Sequence, residues 1–243
     1  GRAAGGFSVA YTDMSTGDLA VAPVAMDEIG PLLARLAPSE LLAPEGLEKE
    51  PPLQSALSDL GSCVTFRPLS SFDSDNGERL LKSAYGVAAL DGFGSFSRAD
   101  LSAAGALIAY LDLTQRGKRP ALKPMRSEAQ RSVMSIDAAT RRNLELVETL
   151  SGERRGSLLS IIDHTVTPSG ARLLAARMAA PLTDPDLIAN RLDGVGYFIS
   201  QADLREKISD DLRRAPDIAR SLGRLSLGRG GPRDLGSIRG GLA

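Results

Sequence analysis

The chain has 243 residues and a formal net charge of −1, enough for one large domain or two smaller ones with a substantial core. The near-neutral total hides an asymmetry: residues 1–100 carry 7 Lys and Arg against 14 Asp and Glu, and residues 101–243 carry 22 against 16. A chain that gripped nucleic acid by itself would show a clustered basic face, because phosphate neutralisation supplies most of that affinity, and none is visible. No apolar run approaches the roughly 18 residues of a membrane span, and no signal-peptide pattern is visible in these residues. The one cysteine, Cys63, cannot form an internal disulfide, which suits a reducing cytoplasm, and its apolar run reads as a buried strand.

Residues 7–13 and 18–24 read as two strands joined through Ser15-Thr16-Gly17, a hairpin. Asp27 is placed to cap a helix bearing Ile29, Leu32, Leu33 and Leu36, which Pro38 ends. A short strand near 40–43, a loop at Pro51-Pro52, a helix near 53–60 and a strand at 63–67 follow. Such alternation predicts a mixed sheet with helices on its faces. Asp73 or Asp75 opens a helix with Leu80, Leu81 and Ala84 that stops at Gly86, and a glycine-rich turn spans 90–96. Ser97 with Asp100 three residues on forms a capping box for a helix to Gln115, whose apolar face is Leu101, Ala104, Ile108 and Leu111.

The basic, proline-containing stretch from Gly117 to about Ser135 reads as the domain connection and hinge. Beyond it nothing reads as a sheet. Asp137 caps a helix with Leu144 and Val147 on one side, Ser157 caps 158–162, and Thr167-Pro168 opens a helix that Pro181 ends. Asp184-Pro185 opens a helix with Leu187, Ile188, Leu192 and Val195. Helices near 203–214 and from Pro216-Asp217 follow, the latter with Ile218, Leu222 and Leu225. Gly228 to Gly231 breaks the pattern before Pro232 opens another. A chain that starts at Gly1 and stops just after that helix start is expected to be a piece of a longer protein.

Chemistry-bearing constellations are sparse. His164, the only histidine, lacks a nucleophile and an orienting partner in the sequence and is read as structural, within the second helix of the 136–182 stretch. One Cys and one His cannot make the usual four-ligand zinc site. A phosphate loop of the form G-x-x-x-x-G-K-[ST] is absent, and Gly92-Phe93-Gly94 is only a fragment of a dinucleotide pattern. Arg141-Arg142, Arg154-Arg155, Arg172, Arg177 and Arg213-Arg214 are interleaved with acids, so solvated faces and internal salt links are the plainer reading beside a nucleic-acid patch.

The segments IDAATRRNLEL (136–146), GSLLSIIDHTVTPSGARLL (156–174) and APL (180–182) resemble the start of the core domain of the MutS family of DNA mismatch-repair proteins. The resemblance continues upstream through LSAAGALIAYLDLTQRGKRP (101–120) and FSVAYTDMSTGDL (7–19). It implies an N-terminal connector domain with a ribonuclease-H-like α/β mixed sheet and flanking helices, residues 1–126, followed by the first segment of an all-α helical core, residues 127–243. It also implies a non-catalytic piece that relays conformational signals between mismatched-DNA-binding and ATPase domains outside it. On this reading the piece has no catalytic, cofactor or metal residues of its own. ATP and Mg²⁺ belong to the full-length protein, which is expected to be a homodimer. MutL, the downstream partner, is expected to dock on the outward side of the helix around Asp75 to Ala84, at Glu78, Arg79 and Lys82.

Two other functions remain open from sequence. One is a metal-dependent nuclease on the ribonuclease-H-like fold, with Asp13 at the end of the first strand and Asp73, Asp75 and Asp91 as further carboxylates; the plainer reading has Asp13 stabilise the turn to Gly17 and the others cap helices. The other is a stand-alone DNA-binding module.

Overall fold

A computed structural model describes residues 1–3, 5–115, 121–128 and 133–242. The chain divides into two compact units: 1–130 with 222–231, and 131–221 with 232–243.

In the first unit the strands β1 (Arg2–Ala3), β2 (Gly6–Asp13), β3 (Asp18–Val24) and, from further along the chain, β6 (Arg126–Ser127) form one sheet in the order β1-β2-β3-β6. β2 and β3 are antiparallel from Phe7↔Val24 to Asp13↔Asp18, the expected hairpin. Asp13 makes its turn: its carboxylate Oδ1 accepts from the Ser15 N–H and Oγ, both at 2.7 Å, while its carbonyl accepts from Gly17 N–H at 2.8 Å. Gly17, at φ 71°, takes the left-handed backbone that closes the hairpin. A second sheet holds β4 (Leu41–Pro44) and β5 (Val64–Arg67), parallel and joined by the crossover helix α2 (Pro51–Leu60).

β3 explains the layering. Its residues Leu19, Ala20, Val21, Ala22 and Val24 are all buried, which a strand shows only when both faces are covered. Leu19 and Val21 pack with Leu81 of α3 (Ser74–Tyr85), with Ala104 and Ile108 of α4 (Arg98–Thr114), and with Met125. Ala22 and Val24, on the opposite face, pack with Ile29, Leu32 and Leu33 of α1 (Ile29–Leu36) and with Leu53 and Leu57 of α2. The alternation of a strand thus builds a helix–sheet–helix sandwich.

Several local expectations are corrected. Asp27 lies inside a 3₁₀ turn, Met26–Glu28, and makes no cap to α1. Pro51 and Pro52 begin α2 rather than forming a loop, because a helix's first amides need no intrahelical partner and proline's fixed φ suits that position. Cys63 ends a 3₁₀ turn, Gly61–Cys63, and is half-buried rather than a buried strand thiol. Arg126 and Ser127 form β6, and Glu128 is still bonded to β3 through its N–H to Val21 O at 2.7 Å. Of the expected hinge at 117–135, residues 117–120 and 129–132 lie outside those described, and 121–128 follow the sheet edge.

The second unit is helical: α5 (Ala138–Asn143), α6 (Leu158–Ile162), α7 (Pro168–Ala179), α8 (Pro185–Ser200), α9 (Ala202–Arg214), α10 (Ile218–Ser226), which runs on into the first unit's 222–231, and α11 (Pro232–Leu242). Its caps are those expected: Asp137 accepts from Thr140 N–H, Ser157 from Ser160 N–H, Thr167 from Gly170 N–H, and Asp184 from Asp186 and Leu187 N–H. α5 stops at Asn143, so Leu144 and Val147 lie beyond it; Glu145, at φ 46°, breaks the helical path. His164 lies past the end of α6 and is exposed, not helical. The apolar stripe of α8 exists, yet Leu187, Leu192 and Val195 stand open to solvent, and the helix that follows it, α9, is dominated by charge and buries none of its residues.

Candidate functional site

The outward face of α3 is built by three local devices. Asp73 caps the helix by accepting from Asn76 N–H at 2.7 Å, and Gly86, at φ 65°, ends it. Leu81, fully buried, fastens its inner face to the core. Gly77 lets it lie directly on the backbone of α4: a Cβ at Gly77 would sit 2.3 Å from Leu101 O, and one at Gly105 would sit 2.1 Å from Gly77 Cα. The crossing therefore tolerates no side chain on either helix at that point.

With Gly77 and Leu81 turned inward, the 3.6-residue period turns Glu78, Arg79 and Lys82 outward. Lys82 Nζ pairs with Glu78 Oε1 at 2.6 Å, and Arg79 donates to Asn76 Oδ1 at 2.6 Å. Such half-exposed pairs one turn apart contribute only about 0.3–0.5 kcal/mol, so exchanging them for a partner's charges costs little. Asp75 is already engaged, its carboxylate held by Arg98, whose Nε also donates to Ser74 Oγ at 3.1 Å.

A second cluster has no counterpart in the sequence reading. Glu128 accepts from both ends of the Arg35 guanidinium, at 2.8 and 2.7 Å, and from the Tyr11 hydroxyl at 2.7 Å. The Arg35 and Glu128 side chains are only 13% and 18% exposed. The Arg35 hydrogen bonds hold the Glu128 carboxyl below its ordinary range, and burial, aided by the bond to Glu128, pushes the Tyr11 phenol up to about 12. Sequence separations of 93 and 117 residues left no local signal by which these three could have been grouped. A cavity of about 730 Å³ lies beside the cluster, lined by β2, α1, β4 and α4 and walled largely by apolar side chains such as Phe7, Val9, Leu33 and Leu41.

The acidic residues considered for a nuclease are not gathered. Asp13 makes the hairpin turn, Asp73 caps α3, Asp75 pairs with Arg98 and Asp91 opens a 3₁₀ turn. Among the described residues no three His, Cys, Asp or Glu lie together so as to hold a metal ion. In the helical unit several arginines make internal links: Arg154 with Asp163, Arg213 with Asp210, Arg214 with Asp211, and Arg172 with Asp217 at 2.8 Å.

The features on the page are those of a domain pair, an α/β sandwich followed in sequence by a helical segment, with exposed charged faces rather than a gathered catalytic set among the described residues. Residues 2–123 match the family model described as MutS domain II, and residues 139–243 match the one described as MutS domain III. The DNA mismatch repair protein MutS of Ruegeria pomeroyi is 52% identical over 98% of this chain and 27% of its own length. That of Roseobacter denitrificans is 48% identical over 97% and 26%, and that of Azorhizobium caulinodans 49% over 100% and 26%. The chain belongs to the MutS family of DNA mismatch-repair proteins and comprises its connector and core domains. It spans about a quarter of the length of the curated relatives it matches.

Proposed function

We propose that this chain is the non-catalytic relay and docking part of a mismatch-repair protein: its α/β unit offers the outward face of α3 to MutL, and its two domains carry conformational signals between mismatched-DNA-binding and ATPase domains elsewhere in the full-length protein. The observation that carries the docking reading is the α3 face itself. The helix is fixed backbone-to-backbone on α4 at Gly77 and Gly105, while Glu78, Arg79 and Lys82 stand outward in weak pairs. A rigid helix with exchangeable charges is suited to a charge-guided interface. Relay needs two arrangements that both distant sites bias, and the division into two compact units supports the relay reading.

The same reading takes the α/β unit as ribonuclease-H-like, on the strength of its antiparallel hairpin followed by alternating helices and parallel strands, and places the domain boundary close to residue 127. It assigns ATP and Mg²⁺ to the rest of the full-length homodimer and no cofactor to this piece. It places the protein in the cytoplasm, which the lone cysteine favours; among the described residues no helix is long and apolar enough to cross a membrane.

Calorimetric titration of the chain with MutL from the same source tests the docking. Saturable binding weakened about tenfold or more by Glu78→Arg or Arg79→Glu is expected. Wild-type binding that neither reversal weakens would move the interface off α3. A steep, salt-sensitive affinity for duplex DNA would favour the stand-alone DNA-binding reading, and Mg²⁺-dependent cleavage abolished by Asp13→Asn would favour the nuclease.

A further inference from the structure

Residues 121–128, which in sequence read as part of the connection from Gly117 to about Ser135, are fastened beside the edge of the larger sheet. Lys123 N–H donates to Gly17 O at 2.8 Å, the Tyr85 hydroxyl donates to Lys123 O at 2.9 Å, and Lys123 Nζ pairs with Asp18 at 3.0 Å. Met125 is 1% exposed within the core shared by β3, α3 and α4. Arg126 and Ser127 then pair in parallel with Ala20 and Val21, and Glu128 N–H reaches Val21 O. The last fastening is the Glu128 carboxylate, gripped by Arg35 and Tyr11. In the helical unit the chain is bonded again at Met134, whose N–H donates to Pro181 O at 2.7 Å.

These fastenings are uneven in kind. A two-residue strand at a sheet edge has few hydrogen bonds to hold it, and such ends open locally at low cost. The ion pair at its end is different: opening it withdraws a carboxylate and a guanidinium, both largely desolvated, from bidentate bonding, and removing one partner strands the other. The clasp thus controls whether the weak strand behind it peels, with Met125 as the next anchor inward.

We propose that residues 121–128 form a releasable strap, clasped by Arg35, Glu128 and Tyr11, whose opening uncovers the edge of β3 at Ala20 and Val21.

Amide hydrogen exchange on the whole chain, followed residue by residue, tests the clasp in Glu128→Gln and Arg35→Gln. The first variant keeps the shape and one hydrogen-bonding oxygen, which guards against simple misfolding. The Lys123 and Glu128 amides are expected to exchange about tenfold or more faster than in the wild type, with the amides of α3 and α4 unchanged. No change at Lys123 and Glu128, or uniform acceleration through the whole α/β unit, would overturn the strap. MutL titration of the same variants separates this from the docking reading, since neither residue lies on the outward face of α3.

Discussion

Replacing Gly105 by alanine sets two opposed effects against each other. In a helix interior alanine is favoured over glycine by about 0.8–1.0 kcal/mol, so on propensity alone Gly105→Ala would stabilise α4. The added methyl would lie 2.1 Å from Gly77 Cα and 3.1 Å from Gly77 C, and backbone cannot rotate away as a flexible side chain does. α3 must lift off α4, opening the packing of Leu81 against Ala104 and Ile108. Overpacking costs about 1–3 kcal/mol, and a clash with backbone at 2.1 Å falls in the upper part of that range, about 2–3 kcal/mol, so the clash outweighs the propensity gain and the net is a loss of about 1–2 kcal/mol. Gly194 on α8 is the control: nothing lies within 4 Å of a Cβ there, and Gly194→Ala is expected to stabilise its own helix slightly. Urea unfolding followed by tyrosine near-ultraviolet circular dichroism is the assay, because Tyr11, Tyr85 and Tyr110 lie in the α/β unit and only Tyr197 lies in the helical one. A Gly105→Ala variant as stable as the wild type would refute the close crossing, and with it the rigid presentation of Glu78 and Arg79.

Two further predictions concern the α/β unit. Glu128 has its folded-state pKa depressed below the ordinary 4.5 by Arg35, so its contribution is complete above about pH 4.5 and is lost as pH falls through the depressed value. Tyr11, raised from 10.0 to about 12, contributes the opposite slope, present below pH 10 and lost as pH rises towards 12. Urea midpoints against pH should therefore fall less steeply in acid for Glu128→Gln and less steeply in alkali for Tyr11→Phe; slopes parallel to the wild type would contradict the assignment. Asp100 is 2% exposed, accepts from Ser97 N–H and Oγ at 2.8 Å as the capping box, and accepts from Ser8 Oγ at 2.5 Å. Asp100→Ala leaves the Ser97 cap itself but removes the reciprocal half of the capping box and the buried partner of Ser8 together, with an expected cost of about 2–3 kcal/mol by urea unfolding; a loss below about 0.5 kcal/mol would contradict the dual role.

The helix starts were legible because their causes are local. Asp73, Ser97, Ser157, Thr167 and Asp184 all cap where a polar side chain precedes an apolar-patterned run, and Asp137 caps the short α5. Asp27 fails as a cap because the chain enters α1 through a 3₁₀ turn, a choice that its neighbours in sequence do not dictate. The outward face of α3 was likewise readable from the helical period, but the reason the helix is held so closely was not. Gly77 looks like an ordinary helix-weakening glycine until Gly105, 28 residues on, is found against it.

The sequence by itself determined the family, the β2–β3 hairpin, the caps and the amphipathic faces, since each depends on residues within a few positions of one another and on fixed periods of 2.0 and 3.6. Only the tertiary structure decided that β3 is covered on both faces, that Arg126 and Ser127 join its sheet, and that Arg35, Tyr11 and Glu128 meet. Those outcomes depend on desolvation and geometry between groups distant along the chain. A carboxylate on a stretch such as Met125-Arg126-Ser127-Glu128 looks like any solvated charge until the fold brings a guanidinium and a phenol within hydrogen-bonding reach and shields all three from water.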